Sequence, residues 1–244
     1  MNNLGIILKR ELTGYFLTPL AYIFIVIFLV MNGIFTFYMG GFYEAGQADL
    51  LIFFAFHPWL YLFMVPALAM GLWADERKTG TIELLLTLPV KLSEVVLGKF
   101  LAAWALTGLA LALTFPLWMT VNFLGDPDNG VIFAAYLGSW FMAGAYLAIG
   151  SCLSAATKNS VIAFILTASI SFVFVAMGSP IILGMIPGWM PQFIVDALAA
   201  MGFMTHFDSI SKGVLDIRDL LFFGFFIFAW LLASAIVIEI KKAS

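Results

Sequence analysis

The sequence contains very little charge for its length. Only 10% of its 244 residues are Asp, Glu, Lys or Arg, whereas 64% are hydrophobic, and the mean hydropathy is +1.09. A water-soluble domain cannot bury that much apolar surface. Uncharged stretches run from Leu12 to Tyr43 and from Asn159 to Val195. Because such runs lack the alternation of a barrel strand, the composition predicts an all-α integral membrane protein.

Motifs for catalysis and nucleotide binding are also missing. The chain has no Gly-x-x-x-x-Gly-Lys-Ser/Thr loop, no Gly-x-Ser-x-Gly and no His-Glu-x-x-His. Cys152 is the only cysteine, which excludes an intramolecular disulfide, and we interpret it as a small packing residue. His57 and His206 are far apart, and we interpret each as a packing or hydrogen-bonding residue rather than a ligand. We therefore expect neither enzyme activity nor a cofactor in this chain.

The centres of the apolar runs lack ionisable groups. Ion-coupled carriers usually place such a group in the membrane, so its absence disfavours a secondary transporter. It does not exclude one, since backbone carbonyls can also hold Na⁺. A membrane subunit that only docks another protein is a further alternative.

Six runs are long enough to cross a bilayer as helices, because about 20 apolar residues span its roughly 30 Å core. Pro58 and Pro66 predict a kink in the second crossing. Small residues four positions apart in the fourth, Gly144 with Ala148 and Gly150 with Ser154, predict close helix packing. The crossings are expected near 18–40, 51–73, 98–123, 131–155, 160–184 and 219–240.

The distribution of positive charge predicts the orientation. With the N-terminus inside, nine of the eleven Lys and Arg residues fall in inner segments, and only Lys212 and Arg218 fall in outer ones. Lys and Arg are enriched in cytoplasmic segments, so both termini should be cytoplasmic. The first crossing has no cleavage site after it and should be retained.

Two further segments should lie at the membrane surfaces. Residues 1–16 place apolar side chains beside Lys9, Arg10 and Glu11, which predicts an interfacial helix, with a frayed tail as the alternative. In the outer region 186–218, residues 190–204 are apolar but too short to cross, which predicts an interfacial or re-entrant helix. A seventh crossing would place Lys241 outside, against the charge rule.

The connection at 74–97, between the second and third crossings, is the only sizeable inner loop. Gly80 should break the chain, Thr81 should cap a short helix over about 82–88, and Pro89 should end it. Ser93 should cap the third crossing, with Glu94 in its first turn. The short helix is too apolar for a solvated loop, so it rests either on the membrane or on another protein.

This loop carries a family resemblance. The run Glu76-Arg-Lys-Thr-Gly-Thr-Ile-Glu-Leu-Leu-Leu-Thr-Leu-Pro-Val90, continuing to Leu97-Gly-Lys99, resembles the cytoplasmic loop of ABC-2 type transporter permeases. The run from His206 to Asp219 is similar to the segment before the last crossing in the gliding-motility-associated branch. The resemblance covers essentially the whole chain, as a single permease domain over residues 1–244.

The resemblance implies a subunit of an ATP-driven exporter in the inner membrane of a bacterium. Residues 81–88 would be the coupling helix, docked in a groove of a separate ATPase subunit, with residues 2–15 as the connecting helix beside it. Two permease chains, identical or related, would enclose the pathway among membrane lipids, the ATPases would bind ATP and Mg²⁺, and nucleic acid would play no part. Glu76 and Glu83 are alternatively solvated helix-end charges. The residues expected to couple to the ATPase are Glu76, Thr81, Ile82, Glu83, Leu84, Leu85, Leu86 and Pro89.

Overall fold

The structure is a computed structural model that describes residues 3–83, 89–179, 191–214 and 216–242, together with Gly184. These residues form α-helices and one π-helical stretch, with no strand among them, which confirms the all-α prediction. The helices are α1 (Asn3–Leu17), α2 (Leu20–Gly33) with its π-helical continuation (Ile34–Met39), α3 (Phe42–Ala45), α4 (Leu51–Ala55), α5 (His57–Ala69), α6 (Gly71–Thr79), α7 (Leu92–Ala112), α8 (Phe115–Leu124), α9 (Asn129–Ala156), α10 (Ser160–Met177), α11 (Gln192–Ala200), α12 (Phe203–Ser211) and α13 (Ile217–Lys242).

Five helical units are long and apolar enough to cross a membrane. They are α2 with its π-helical continuation, α7 with α8, α9, α10 and α13. All five correspond to predicted crossings. A sixth unit reaches the required length only if α11 and α12, which meet at an angle of 66°, are counted together.

The predicted second crossing is divided into α4, α5 and α6 at Phe56 and Met70. Both junction residues keep right-handed helical backbone angles, so the three helices follow one another as a bent rod. Pro58 and Pro66 have no N–H for the helical hydrogen bond to the residue four positions earlier. The break at Phe56 lies two residues before Pro58, whereas Pro66 lies inside α5 and the break at Met70 follows it by four residues.

Contacts at one end of the bundle join six helices. We call this the loop end, because the connection between α6 and α7 lies there. Arg77 of α6 donates to the Ala155 carbonyl at the end of α9 at 2.5 Å, and Ser160 of α10 donates to Asp75 of α6 at 2.6 Å. Lys241 of α13 donates to the Ala156 carbonyl. Since α1 also contacts α7 here, both ends of the described chain lie at the loop end.

Contacts at the opposite end, which we call the far end, complete the topology. Leu50 and Phe54, at the start of the bent rod, line a cavity of about 370 Å³ with Asp128 before α9 and Lys212 after α12. The rod therefore runs from the far end to the loop end and crosses the bundle. The segment from α11 to α12 ends at the far end, where Ser211 and Lys212 line the same cavity, and Gly202 between the two helices packs on Gly178 after α10. That this segment is re-entrant or interfacial stays a prediction. The five units of membrane length and the rod thus run between the two ends of the bundle six times.

Helix α9 is the centre of the bundle. Of its membrane-length window, 72% is buried inside the protein. A Cβ atom on Gly150 would lie 2.3 Å from that of Ala69 in α5, and one on Gly144 would lie 2.8 Å from the indole nitrogen of Trp104 in α7. The small residues of the fourth crossing therefore allow close packing, as predicted, and the structure identifies α5 and α7 as partners.

Candidate functional site at the loop end

The connection between α6 and α7 lies within the predicted cytoplasmic segment 74–97. Helix α6 ends at Thr79, and Gly80 follows with a φ of 75°, a left-handed conformation that glycine adopts without strain. Helix α7 begins at Leu92. The loop between the two helices is therefore 80–91, and the membrane boundaries at 74 and 97 stay a prediction. The predicted break at Gly80 is confirmed.

Four of the residues expected to contact an ATPase lie within the described part of this loop. Residues 81–83 are helical; Thr81, Glu83 and Pro89 are exposed, and Ile82 is half-buried. The predicted helix cannot be followed beyond residue 83, because Leu84, Leu85 and Leu86 lie outside the described residues. The exposed side chains at both ends of the loop are accessible to a partner.

One of the two helix caps predicted beside the loop is wrong. The hydroxyl of Thr81 donates back to the Glu76 carbonyl at 3.4 Å. The helix that Thr81 is predicted to cap continues into residues 84–88, outside the described part of the chain, so this cap stays a prediction. The N-cap of α7 is Lys91, whose extended backbone precedes Leu92. Glu94 lies in the first turn, as predicted, and its carboxylate accepts from the Lys91 N–H at 3.0 Å, which leaves Ser93 no capping role.

A buried lysine joins three helices beside the loop. The Lys99 ammonium of α7 lies 2.7 Å from a carboxylate oxygen of Glu76 in α6 and 3.2 Å from one of Glu11 in α1. Its side chain is only 5% exposed, and the nitrogen lies 5.4 Å from the centre of the Trp73 ring. We call Lys99, Glu11, Glu76 and Trp73 the Lys99 junction.

The Lys99 junction contains more acidic than basic groups. Burial raises the pKa of the Glu11 carboxyl, but the charge of Lys99 and the contact with Arg10 at 2.5 Å outweigh this, so the pKa lies below its usual 4.5. The second oxygen of Glu76 is buried and has no hydrogen-bond partner within the described part of the chain. One ammonium thus holds two carboxylates close together, and its removal would leave them facing each other.

Apolar packing joins the same helices. Ile7 of α1 is buried, and a Cβ atom on Gly98 of α7 would lie 2.6 Å from its side chain. Asn3 of α1 also donates to Glu94 at 3.4 Å. The N-terminal helix is therefore present, as predicted, and it packs directly on α7.

Serine side chains attach α6 to the central helix. The indole N–H of Trp73 donates to Ser151 of α9 at 3.1 Å. Ser154 of α9 accepts from the backbone N–H groups of Trp73 and Ala74, at 3.0 Å each, and donates to the Met70 carbonyl at 2.7 Å. The backbone groups released at the Met70 break are thus satisfied, and α6 is fixed to α9 just before the loop.

Among the expected coupling residues that the structure describes, Glu76 is the one that contacts Lys99. Glu83 and Pro89 are exposed on the surface. Sequence reasoning missed Lys99, Glu11 and Trp73. The available signal was that Lys99 lies where an apolar run begins, since a lysine buried at such a position requires a nearby acid.

A second polar cluster lies inside the bundle around His57. The Nδ1 atom of this ring lies 2.7 Å from the Ser139 hydroxyl, and Nε2 lies 3.0 Å from the side-chain oxygen of Asn32. The Tyr61 hydroxyl also lies 2.7 Å from Ser139. Four side chains from α2, α5 and α9 thus form a continuous chain, which we call the His57 network. It confirms the hydrogen-bonding role expected for His57.

The donors and acceptors of the His57 network follow from one fixed contact. Asn32 donates its amide to the Phe28 carbonyl at 3.0 Å, so its oxygen must face His57 and accept. The ring then donates from Nε2 and accepts at Nδ1 from Ser139, which in turn accepts from Tyr61. Every member is satisfied with a neutral imidazole.

Comparison with known proteins identifies a family. The model of the family described as ABC-2 family transporter protein matches residues 20–193, which are 174 of the 244 residues. The match includes the loop at 80–91 and the first five crossings. No curated protein matches the chain. The resemblance at 206–219 lies outside the matched residues, so the gliding-motility-associated branch stays a prediction.

Proposed function

We propose that this chain, which belongs to the ABC-2 family of transporter proteins and is a membrane transport permease of an ABC system, is driven by a separate ATPase subunit. The observation that carries the proposal is that the described ends of the loop at 80–91 are accessible, since Glu83 and Pro89 are exposed. The two helices that the loop connects are joined to each other by Lys99 and Glu76. A protein that binds this loop therefore acts on the two crossings that end in α6 and begin with α7.

The charges at the loop end support a cytoplasmic location for it. Arg77, Lys99 and Lys241 all lie there, and Lys78 and Lys91 are exposed beside the loop. Lys and Arg are retained in cytoplasmic segments, so an ATPase in the cytosol would meet this surface. In this orientation both ends of the described chain face the cytosol.

Motion of the loop has a direct path through the membrane. The bent rod of α4, α5 and α6 is continuous from the far end to Gly80, and α7 with α8 runs back from Leu92. Closing of the ATPases around ATP would displace the loop, and the two helical units would carry that displacement to the far end. Pairing of two permease chains around one pathway, and outward transport, belong to the same proposal and rest on family membership.

Copurification and ATP hydrolysis test the proposal. We expect the tagged chain to copurify from its native membrane with an ATPase whose hydrolysis rate in lipid nanodiscs falls when Glu83 or Leu85 is changed to alanine. Lys158→Ala is the control, since Lys158 is exposed in the turn between α9 and α10, outside the loop. Absence of an ATPase, or an unchanged rate in both loop variants, would contradict the proposal. Transport driven by an ion gradient in ATP-depleted vesicles would favour a carrier instead.

A further inference from the structure

We propose that Lys99 is a positioning residue for coupling, one that makes α1, α6 and α7 move together when the loop at 80–91 is displaced. This inference rests on the proposed function. It adds that the ATPase acts on the first crossing as well as on the two that the loop connects. It also assigns the transmission of this motion to the buried ammonium of Lys99 and the carboxylates of Glu11 and Glu76.

The position of the ion pairs along the helices supports this role. Glu76 lies four residues before Gly80, or about 6 Å along α6, and Lys99 lies seven residues after Leu92, or about 10 Å along α7. The Lys99–Glu76 pair thus joins the two helices within about two turns of the loop. A push on the loop cannot be absorbed by separating α6 from α7 unless this pair breaks.

The contact with Glu11 extends the effect to α1. Helix α1 ends at Leu17, and α2 begins at Leu20, so the first crossing follows α1 after two residues. Ile7 against Gly98 provides apolar contact between α1 and α7. The Lys99–Glu11 pair adds a charged contact about one helical turn beyond Ile7 along α1. This second contact resists sliding of α1 across α7.

The alternative is that Lys99 only stabilises the fold. Variants that disturb or preserve the charge balance of the junction distinguish this role from coupling. Replacing a buried ion-pair group by neutral residues of similar volume is often neutral for stability, whereas removing one charge leaves the others uncompensated. The variant Lys99→Met retains two facing carboxylates. The triple variant Lys99→Met/Glu11→Gln/Glu76→Gln removes the imbalance and the ion pairs together, so its fold should be retained while the charged connection is lost.

Coupling in the complex with the copurified ATPase is the first test. We expect the stimulation of ATP hydrolysis, measured per bound ATPase, to fall at least about fivefold in the triple variant, the lower range of coupling between sites. Lys99→Arg, which keeps the charge, should retain most of the stimulation, and Lys158→Met is the matched control at an exposed lysine. Stimulation at the wild-type level in the triple variant would overturn the proposal.

A distance measurement tests the junction without the partner. In a Cys152→Ala background, spin labels at Lys9→Cys in α1 and Lys78→Cys in α6 occupy exposed sites on two of the joined helices. The wild-type junction should give one narrow distance distribution, and the triple variant a broad one. An unchanged distribution would overturn the proposal. If no ATPase binds the wild type, the proposed function fails, but this measurement still decides whether Lys99 positions α1 and α6.

Discussion

The Lys99 junction and the His57 network each connect three helices through one basic side chain, but they do so with opposite chemistry. Lys99 is charged and lies at the loop end, where Glu11 and Glu76 keep 16% and 21% of their side chains exposed. His57 is fully buried and needs no charge to satisfy its partners. The difference follows the cost of burying charge, which is far higher away from water.

The two clusters also differ in how strictly they fix geometry. Each hydrogen bond in the His57 network has an assigned donor and acceptor, so a shift of one helix breaks a bond. An ion pair depends mainly on distance, so the Lys99 junction can hold three helices together through small changes of angle. The junction therefore suits a part of the protein that moves, and the network suits a part that keeps its register.

Removal of the buried charge should have the largest effect on stability. We expect Lys99→Met to lower the free energy of unfolding by about 3 kcal/mol, because Glu11 and Glu76 then lack their shared cation. The triple neutral variant should return to within about 1 kcal/mol of wild type. Unfolding in detergent by increasing SDS measures both, and a loss in the triple variant as large as in Lys99→Met would contradict the charge-balance argument.

Breaking the neutral network should cost less stability and leave coupling intact. His57→Leu removes the donor to the Asn32 oxygen and the acceptor of the Ser139 hydroxyl, which keeps only Tyr61, and we expect this to lower the free energy of unfolding by about 2 kcal/mol. Because the loop end is untouched, ATP hydrolysis per bound ATPase should stay at the wild-type level. A larger loss of coupling in His57→Leu than in the triple variant would erase the distinction between the two clusters.

Removing the Tyr61 hydroxyl, at the end of the His57 network, should lower the free energy of unfolding less than His57→Leu does. Tyr61→Phe deletes one donor, while Ser139 can still donate to His57. Interhelical hydrogen bonds in membrane proteins contribute about 0.6 kcal/mol on average, so we expect a loss of that order in the same SDS titration. A loss equal to that of His57→Leu would mean that Tyr61 and His57 are not arranged in the deduced order.

Acid should reduce the stability that the Lys99 junction contributes. The pKa of Glu11 in the folded protein lies below its usual 4.5, so its ionised form stabilises the fold fully above pH 4.5, and this contribution is lost as pH falls through the lowered pKa. The melting temperature of wild type should exceed that of Glu11→Gln at neutral pH, and the gap should narrow below pH 4.5. A melting-temperature difference that stays constant between pH 7 and pH 3 would show that the charge of Glu11 does not stabilise the fold.

Features that depend on local sequence could be predicted. The five helical units of membrane length follow from apolar runs, and the break at Phe56 lies beside Pro58, because a missing backbone donor disturbs a helix wherever it occurs. The break at Gly80 is local in the same sense. The close packing of α9 was also foreseeable, since small side chains allow helices to approach.

Features that depend on residues far apart in the sequence could not be predicted. Lys99 and Glu11 are 88 positions apart, and no local pattern indicates that they meet. Hydropathy places Asp75, Glu76 and Arg77 outside the apolar run but does not show that they continue the helix, as they do in α6. Ser93 has the residue type of a cap, but the N-cap of α7 is Lys91, whose backbone N–H donates to the Glu94 side chain in the first turn.

The side of the membrane on which the loop lies tests the central claim most directly. Because Cys152 is the only cysteine, Glu83→Cys in a Cys152→Ala background offers a single exposed thiol. A membrane-impermeant maleimide should label this thiol in inside-out vesicles and leave it unlabelled in intact spheroplasts. Labelling in intact spheroplasts would place the loop outside the cell, away from any source of ATP, and would contradict the account.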